Sequence, residues 1–306
     1  MTLFSIIAAL ILEQIKPVAQ GRFLVLPLQR YAHFLEEHFN DGEERHGNVA
    51  WTLGVMSPVL LLLLLQWLLL AFEPAWALLL NVGVLYLTMG FRQFSHFFTD
   101  IHLALRLGEV DRARQLLGQW RGRDVLADQL SSNEVARLAI EEALVASHRH
   151  VFAPLLWFVV GGPAGALLYR LALVFREQWA RPDLGAFGRR AVRAFALIDW
   201  LPLRVSAAAF AVVGDFEDAV FCWRTQAERW PDAASGIILA SGAGALGVRL
   251  GAPINDAGGV LERPELGLGD DADADFMRST IGLVWRTLVL CLLLLALLWV
   301  ASWVGR

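Results

Sequence analysis

Residues 51–72 read WTLGVMSPVLLLLLLQWLLLAF, twenty-two consecutive positions without a charge. At 1.5 Å per residue a helix of that length reaches roughly 33 Å, enough for a hydrocarbon core of about 30 Å. Pro58 falls near its start, where a missing N–H matters least. Glu73-Pro74 then punctuates the chain. Residues 75–91, AWALLLNVGVLYLTMGF, form a second apolar run, so 51–91 reads as a transmembrane hairpin. A third span follows at 280–304, TIGLVWRTLVLCLLLLALLWVASWV. There Arg286 can snorkel near one interface, and Trp299 and Trp303 suit the other.

The totals agree with these three spans. Hydrophobic residues make up 57% of the chain and the mean hydropathy is +0.51, above the 45–50% typical of soluble domains. A net charge of −4 gives no basic surface for nucleic acid. The two cysteines, Cys222 and Cys291, lie in a polar and an apolar block and form no metal or redox motif. The start lacks a basic residue before its apolar run and a small-residue cleavage site, so it reads as a retained segment. Met1–Leu12 is too short to span; extended to Val18, it can lie in the interface or enter at an angle.

One further apolar stretch is interrupted. In APLLWFVVGGPAGALLYR (153–170), Gly161, Gly162, Pro163 and Gly165 stand where helical hydrogen bonds should continue, and Arg170 closes the run. A broken apolar helix over about 151–175 is expected, and breaks at membrane depth need protein or a wet cavity around them. The polar segments 92–150 and 171–235 read as helical, with Gly108 as a break. A capping box at Ser131 and Glu134 should start a helix running to about Arg149. Residues 187–200 are a further helix candidate. No strand alternation persists, so the fold class expected is an all-α integral membrane protein, a single domain over 1–306. Eight arginines in 92–150 and eight in 171–235 place both segments in the cytoplasm of a multi-pass inner-membrane protein.

Candidate chemistry is sparse. GDDADAD (269–275) can attract a divalent cation but reads better as a solvated linker. His96 and Asp100 share a helix face, with His102 elsewhere, and no metal site is expected. His148 and His150 flank Arg149 and read as solvated helix-end groups, with pH sensing or anion holding as the sharper alternative. Arg121-Gly122-Arg123-Asp124 offers charge and close backbone approach to a phosphate or carboxylate, or is a plain loop. GAGALGVRLG (242–251), with Arg249, suits close helix packing or approach to an anionic ligand.

Taken in order, LRLGEVDRARQLLGQWRGRDVLADQL (105–130), EEALVASHRHVFAPLLWFVVGGPAGALLYR (141–170), WLPLRV (200–205), GDFEDAV (214–220) and AGALGVRLG (243–251) resemble the CobD/CbiB membrane proteins. Pro27 and Arg30 echo that family's His-Pro-Val-Arg. The resemblance implies an enzyme joining an aminopropanol unit to a corrinoid carboxylate, with corrinoid, ATP or Mg as associated ligands. MTLFSIIAALILE, APLLWFVVGG, IDWLPLRV and the single C-terminal span are also similar to the AmpE proteins, linked to β-lactamase induction. The family's Glu-Asn and Asp before Ala-Pro-Leu are here Val145, Ala146 and Arg149. Its Asp-Ser-Met after the broken helix is replaced by LALVFREQW. Its Ser-Pro-Asn-Ala-Gly and later Glu give way to Pro231–Gly236 and Leu239.

Those departures favour a non-catalytic regulator or sensor of AmpE type with no cofactor. The amide-forming cobalamin enzyme is the alternative, and a transporter or scaffold the third reading. Arg123, Asp124, Arg170, Asp215 and Arg249 are the polar residues expected to hold a small anionic ligand, if one binds. The lipid bilayer, and a membrane-protein partner if one exists, complete the expected partners. The break at Gly161–Gly165 is expected to pack against AGALG.

Overall fold

A computed structural model describes residues 2–15, 24–122, 130–256 and 259–304. Its helices are α1 (Thr2–Ile15), α2 (Leu26–Phe39), α3 (Glu44–Phe72), α4 (Pro74–Thr88), α5 (Phe91–Arg106), α6 (Val110–Arg121), α7 (Ser132–Ser147), α8 (Ala153–Trp179), α9 (Gly185–Val213), α10 (Phe216–Gln226), α11 (Ala233–Leu246) and α12 (Ala274–Val304). Five short strands, β1 (Val248–Gly251), β2 (Ile254–Asp256), β3 (Gly259–Leu261), β4 (Glu265–Leu266) and β5 (Asp270–Asp271), lie between α11 and α12. The fold is all-α in class, and the strands are a local addition that the sequence pattern did not signal. The chain divides into two compact units, one of residues 1–92 and 150–202, the other of 93–149 and 203–306.

Four helical stretches are long and apolar enough to cross a membrane: Glu44–Phe72, Ser132–Trp179, Pro182–Val213 and Ala274–Ser302. The protein is a membrane protein. The expected span at 51–72 falls inside the first of these, and the one at 280–304 falls inside α12, which contains the last. The expected span at 75–91 is instead the 15-residue α4, about 22 Å long at 1.5 Å per residue and short of a straight crossing. Residues 182–213 provide a long apolar helix where only a candidate over 187–200 was expected. Its leucines, alanines and valines are interleaved with arginines at one end, which dilutes the hydropathy signal.

In the first unit α8 is the central element; α2, α3 and α4 pack on it, and α1 packs on α4. Tyr169, Phe175 and Trp179 are fully buried with Phe187 and Trp51. Phe175 meets Trp179 edge-on at 4.7 Å between centroids. Two or three such aromatic pairs contribute about 0.5–1.5 kcal/mol each beyond their buried area. Close approach depends on Gly54: a Cβ there would lie 2.6 Å from Leu35 Cδ1 and 2.7 Å from Phe175 Cζ.

The interruption in α8 is located at Gly162, whose φ of 61° and ψ of −152° leave helical space entirely. That region is open in practice only to glycine. Pro163 follows, lacking the N–H that the broken turn could not pair anyway. The chain then folds back so tightly that a Cβ on Gly165 would collide with the Trp157 carbonyl oxygen. A Cβ on Gly162 would come within 3.2 Å of the Gln66 side-chain amide. The glycines thus build a kink within the first unit, whereas AGALG belongs to the second.

In the second unit α7 packs against α11 and α12, and α10 against α11. Ser131 caps α7 with the expected capping box: its hydroxyl accepts from Glu134 N at 3.3 Å, and Glu134 Oε2 accepts from Ser131 N at 2.7 Å. Gly108, at φ 76°, separates α5 from α6 as expected. α11 ends at Gly247, left-handed at φ 65°, which turns the chain into β1. β1 pairs antiparallel with β4 and parallel with β5, setting Arg249 beside Asp271.

Candidate functional site in the second unit

The second unit gathers its charged side chains around α7 and β1. Glu141, on the buried face of α7, is 7% exposed. Its carboxylate accepts from Arg263 Nη1 at 2.6 Å and from Gly251 N at 2.8 Å. Arg263 also donates to the carbonyls of Ala252 and Gly251 at 3.1 Å and lies over the Trp230 ring. Each partner of this buried ion pair is therefore satisfied several times, the condition under which burying two charges is tolerable. The pair locks the turn after β1 to the middle of α7.

One helical turn before Glu141, Arg137 occupies the same side of α7. Among the described residues, its buried Nε and Nη2 have no hydrogen-bond partner. Arg137, Arg249, Asn133, Glu134, Glu265 and Asp271 are among the residues lining a cleft of about 200 Å³. Arg249 Nη2 is 2.9 Å from Asp271 Oδ1.

A second polar group joins the turn after α7 to the start of α11. Arg149 Nη2 lies 3.4 Å from Ser235 Oγ and 3.6 Å from Asp232 Oδ2, and Ser235 donates to Asp232 at 2.6 Å. Folding brings Arg149 and Asp232 together as an arginine–aspartate pair.

The structure places three of the five expected ligand residues, Arg170, Asp215 and Arg249. Arg123 and Asp124 lie outside the described residues. Arg170 belongs to the first unit, where it is 3% exposed and its Nη1 lies 2.7 Å from His150 Nδ1. Asp215 is the N-cap of α10, its carboxylate accepting from Asp218 N at 3.1 Å. Arg249 lines the cleft. In AGALG a Cβ on Gly244 would strike Asp218 O, and one on Gly242 would lie 2.8 Å from Leu144 Cδ1. These glycines serve helix packing.

Two further expectations are corrected. GDDADAD is not a linker: Asp270 and Asp271 form β5, Asp273 caps α12 by accepting from Asp275 N at 2.8 Å, and Asp275 pairs with Arg106 at 2.9 Å. His148 is not solvated; it is 2% exposed, with Nδ1 2.9 Å from Ser206 Oγ. His96 and Asp100 do share a face, at 3.3 Å. Among the described residues no three His, Cys, Asp or Glu gather as a group able to hold a metal ion. Cys222 is fully buried, and burial beside Asp218 pushes its thiol up to about 11.

Sequence reasoning missed Glu141, Arg137 and Arg263. The available signal was Arg137 and Glu141 four residues apart within VARLAIEEALVA, charges on an otherwise apolar helical face.

Comparison with known proteins sets this geometry in a family. A model described as CobD/CbiB protein matches residues 6–284. The chain belongs to the CobD/CbiB family. A Stutzerimonas stutzeri protein named cobalamin biosynthesis protein CobD is 35% identical over 297 residues, 95% of this chain and 96% of that protein. A Chromobacterium violaceum protein of the same name is 35% identical over 215 residues, 70% and 68% of the two chains. A Photorhabdus laumondii protein of that name is 32% identical over 209 residues, 66% and 65%. No solved structure matches. The expectation of an AmpE-type regulator gives way here, because the CobD/CbiB match runs through nearly the whole chain and the relatives carry the cobalamin name.

Proposed function

We propose that this CobD/CbiB protein acts in cobalamin assembly, at the step that forms an amide between a corrinoid carboxylate and an aminopropanol unit. The observation that carries the reading is the 35% identity to a protein named cobalamin biosynthesis protein CobD, sustained over 95% of the chain. Membrane location is compatible with it: a large amphipathic corrinoid can approach from the interface while polar helices meet its carboxylates. The arginine-rich segments 92–150 and 171–235 favour a cytoplasmic site in an inner-membrane protein.

Amide formation expels water from a carboxylate and an amine, so the carboxylate must first be activated. ATP with Mg is the co-reactant class we propose. The chain's own part is to bind and orient: arginines to hold carboxylates or phosphates, and a rigid α7–β1 junction to fix them. Val145, Ala146, Arg149 and Leu239 stand where the resembled enzymes carry acids or amides. The proposal therefore places little general acid–base work on those positions and most of the contribution on positioning.

A cobalamin auxotroph lacking its own synthase tests the reading. Growth on cobyric acid plus aminopropanol after supplying this gene is the expected result. Absence of growth, with the protein present in the membrane fraction, overturns it.

A further inference from the structure

The cleft beside α7 is lined by Arg137, a cation with part of its guanidinium unbonded. Its Nε and Nη2 are buried with no hydrogen-bond partner among the described residues. An unpaired buried donor costs about 1–3 kcal/mol, and more when the group is charged. The acids nearby are engaged elsewhere. Glu141 is taken by Arg263 and Gly251 N. Glu134 is taken by the capping box with Ser131. Asp271 is paired with Arg249 at 2.9 Å. Glu265 stands exposed at the rim, where water screens it. Glu141, Glu134 and Asp271 act on Arg137 through charge, while its Nε and Nη2 have no hydrogen-bond acceptor among the described residues.

The size of the cleft agrees. Its volume is about 200 Å³, and its lining includes Arg137 and Arg249, Asn133 from the first turn of α7, and the carboxylates of Glu134, Glu265 and Asp271. That volume suits a single oxyanion group with a few waters, at about 30 Å³ of liquid volume per water. The positive end of the α7 dipole adds to the same field.

We infer that the cleft between α7 and β1 binds an oxyanion group, phosphate or carboxylate, on Arg137, with Arg249 as the second cation. This inference does not depend on the cobalamin reading, and its test is separate from the growth test. An incoming oxyanion supplies the acceptor that Arg137 lacks and competes with Asp271 for Arg249.

The full chain in detergent micelles is titrated with inorganic phosphate, and the phosphorus-31 line width is followed at constant chloride. A parallel arm adds acetate and reads its displacement of phosphate. The expected result is broadening by the wild-type protein that R137Q weakens about tenfold or more, the loss of one charge-assisted contact, and that R249Q weakens less. Displacement by acetate identifies a general oxyanion site, and resistance to acetate narrows it to phosphate. Circular dichroism of each variant guards against misfolding, and the wild-type titration decides independently of any variant. No broadening by wild type in either arm, or equal broadening by wild type and a folded R137Q, overturns the inference.

Discussion

Glu141 and Arg263, 122 residues apart in sequence, meet at 2.6 Å with side chains only 9% and 8% exposed. Cutting such a pair on one side leaves a buried charge uncompensated, and here Arg137 lies close by as well. Glu141→Ala is expected to destabilise the protein by about 3–5 kcal/mol. Replacing both partners, as Glu141→Leu with Arg263→Met, should recover most of that loss. Thermal melting in detergent compares the three proteins; a single variant as stable as wild type would remove the pair from the account of α7.

The kink in α8 gives a contrast between adjacent glycines. Gly162→Ala forces a side chain into φ 61°, ψ −152°, at an expected cost of about 1–3 kcal/mol. Gly161→Ala meets no atom within 4 Å and has no positive φ, so it should be neutral within about 0.5 kcal/mol. Equal melting temperatures for the two variants would place the bend elsewhere.

Cys222 provides a reactivity test. A thiol pushed up to about 11 and fully buried supplies almost no thiolate at neutral pH. In the folded protein Cys222 is expected to resist maleimide at about pH 7.5 and to react once the chain is denatured. Peptide mapping after labelling reads this directly, and rapid modification of native Cys222 would contradict its burial against Asp218.

His102 carries a pH dependence of defined sign. Burial and then the Arg106 guanidinium hold its imidazole below the ordinary 6.5; Arg278 adds to this and Asp275 opposes it. The folded state therefore binds the proton less readily than the unfolded chain. The associated stability is present above about 6.5 and is lost as pH falls through that value towards the folded pKa. His102→Gln should lose less melting temperature than wild type between about pH 7.5 and 5. Parallel curves would assign the titration to other groups.

Much of the framework was legible from local pattern. Uncharged runs located α3 and α12, the Ser131–Glu134 spacing located the start of α7, and Gly162-Pro163 located the kink. These signals are short-range and follow from helix geometry and solvation. What could not be read depends on distant segments meeting. Glu141 finds Arg263 only through β1 and β4, strands two to four residues long with no periodic signature. Arg149 and Asp232 pair through the packing of α7 on α11. Asp215 looked available for a ligand because an N-cap and a binding acid have the same residue type; only its bond to Asp218 N separates them. The family was legible from its motifs, which lie within the matched range 6–284.

Amide synthesis is the claim on which the functional account stands. The full chain, purified in detergent or a nanodisc, is incubated with cobyric acid, an aminopropanol unit, ATP and Mg, and the corrinoid fraction is analysed by mass spectrometry. The account predicts a product heavier than the corrinoid acid by the aminopropanol unit less one water, absent when the protein is heat-inactivated. An unchanged corrinoid mass, from folded protein tested with both free and phosphorylated aminopropanol, would contradict it.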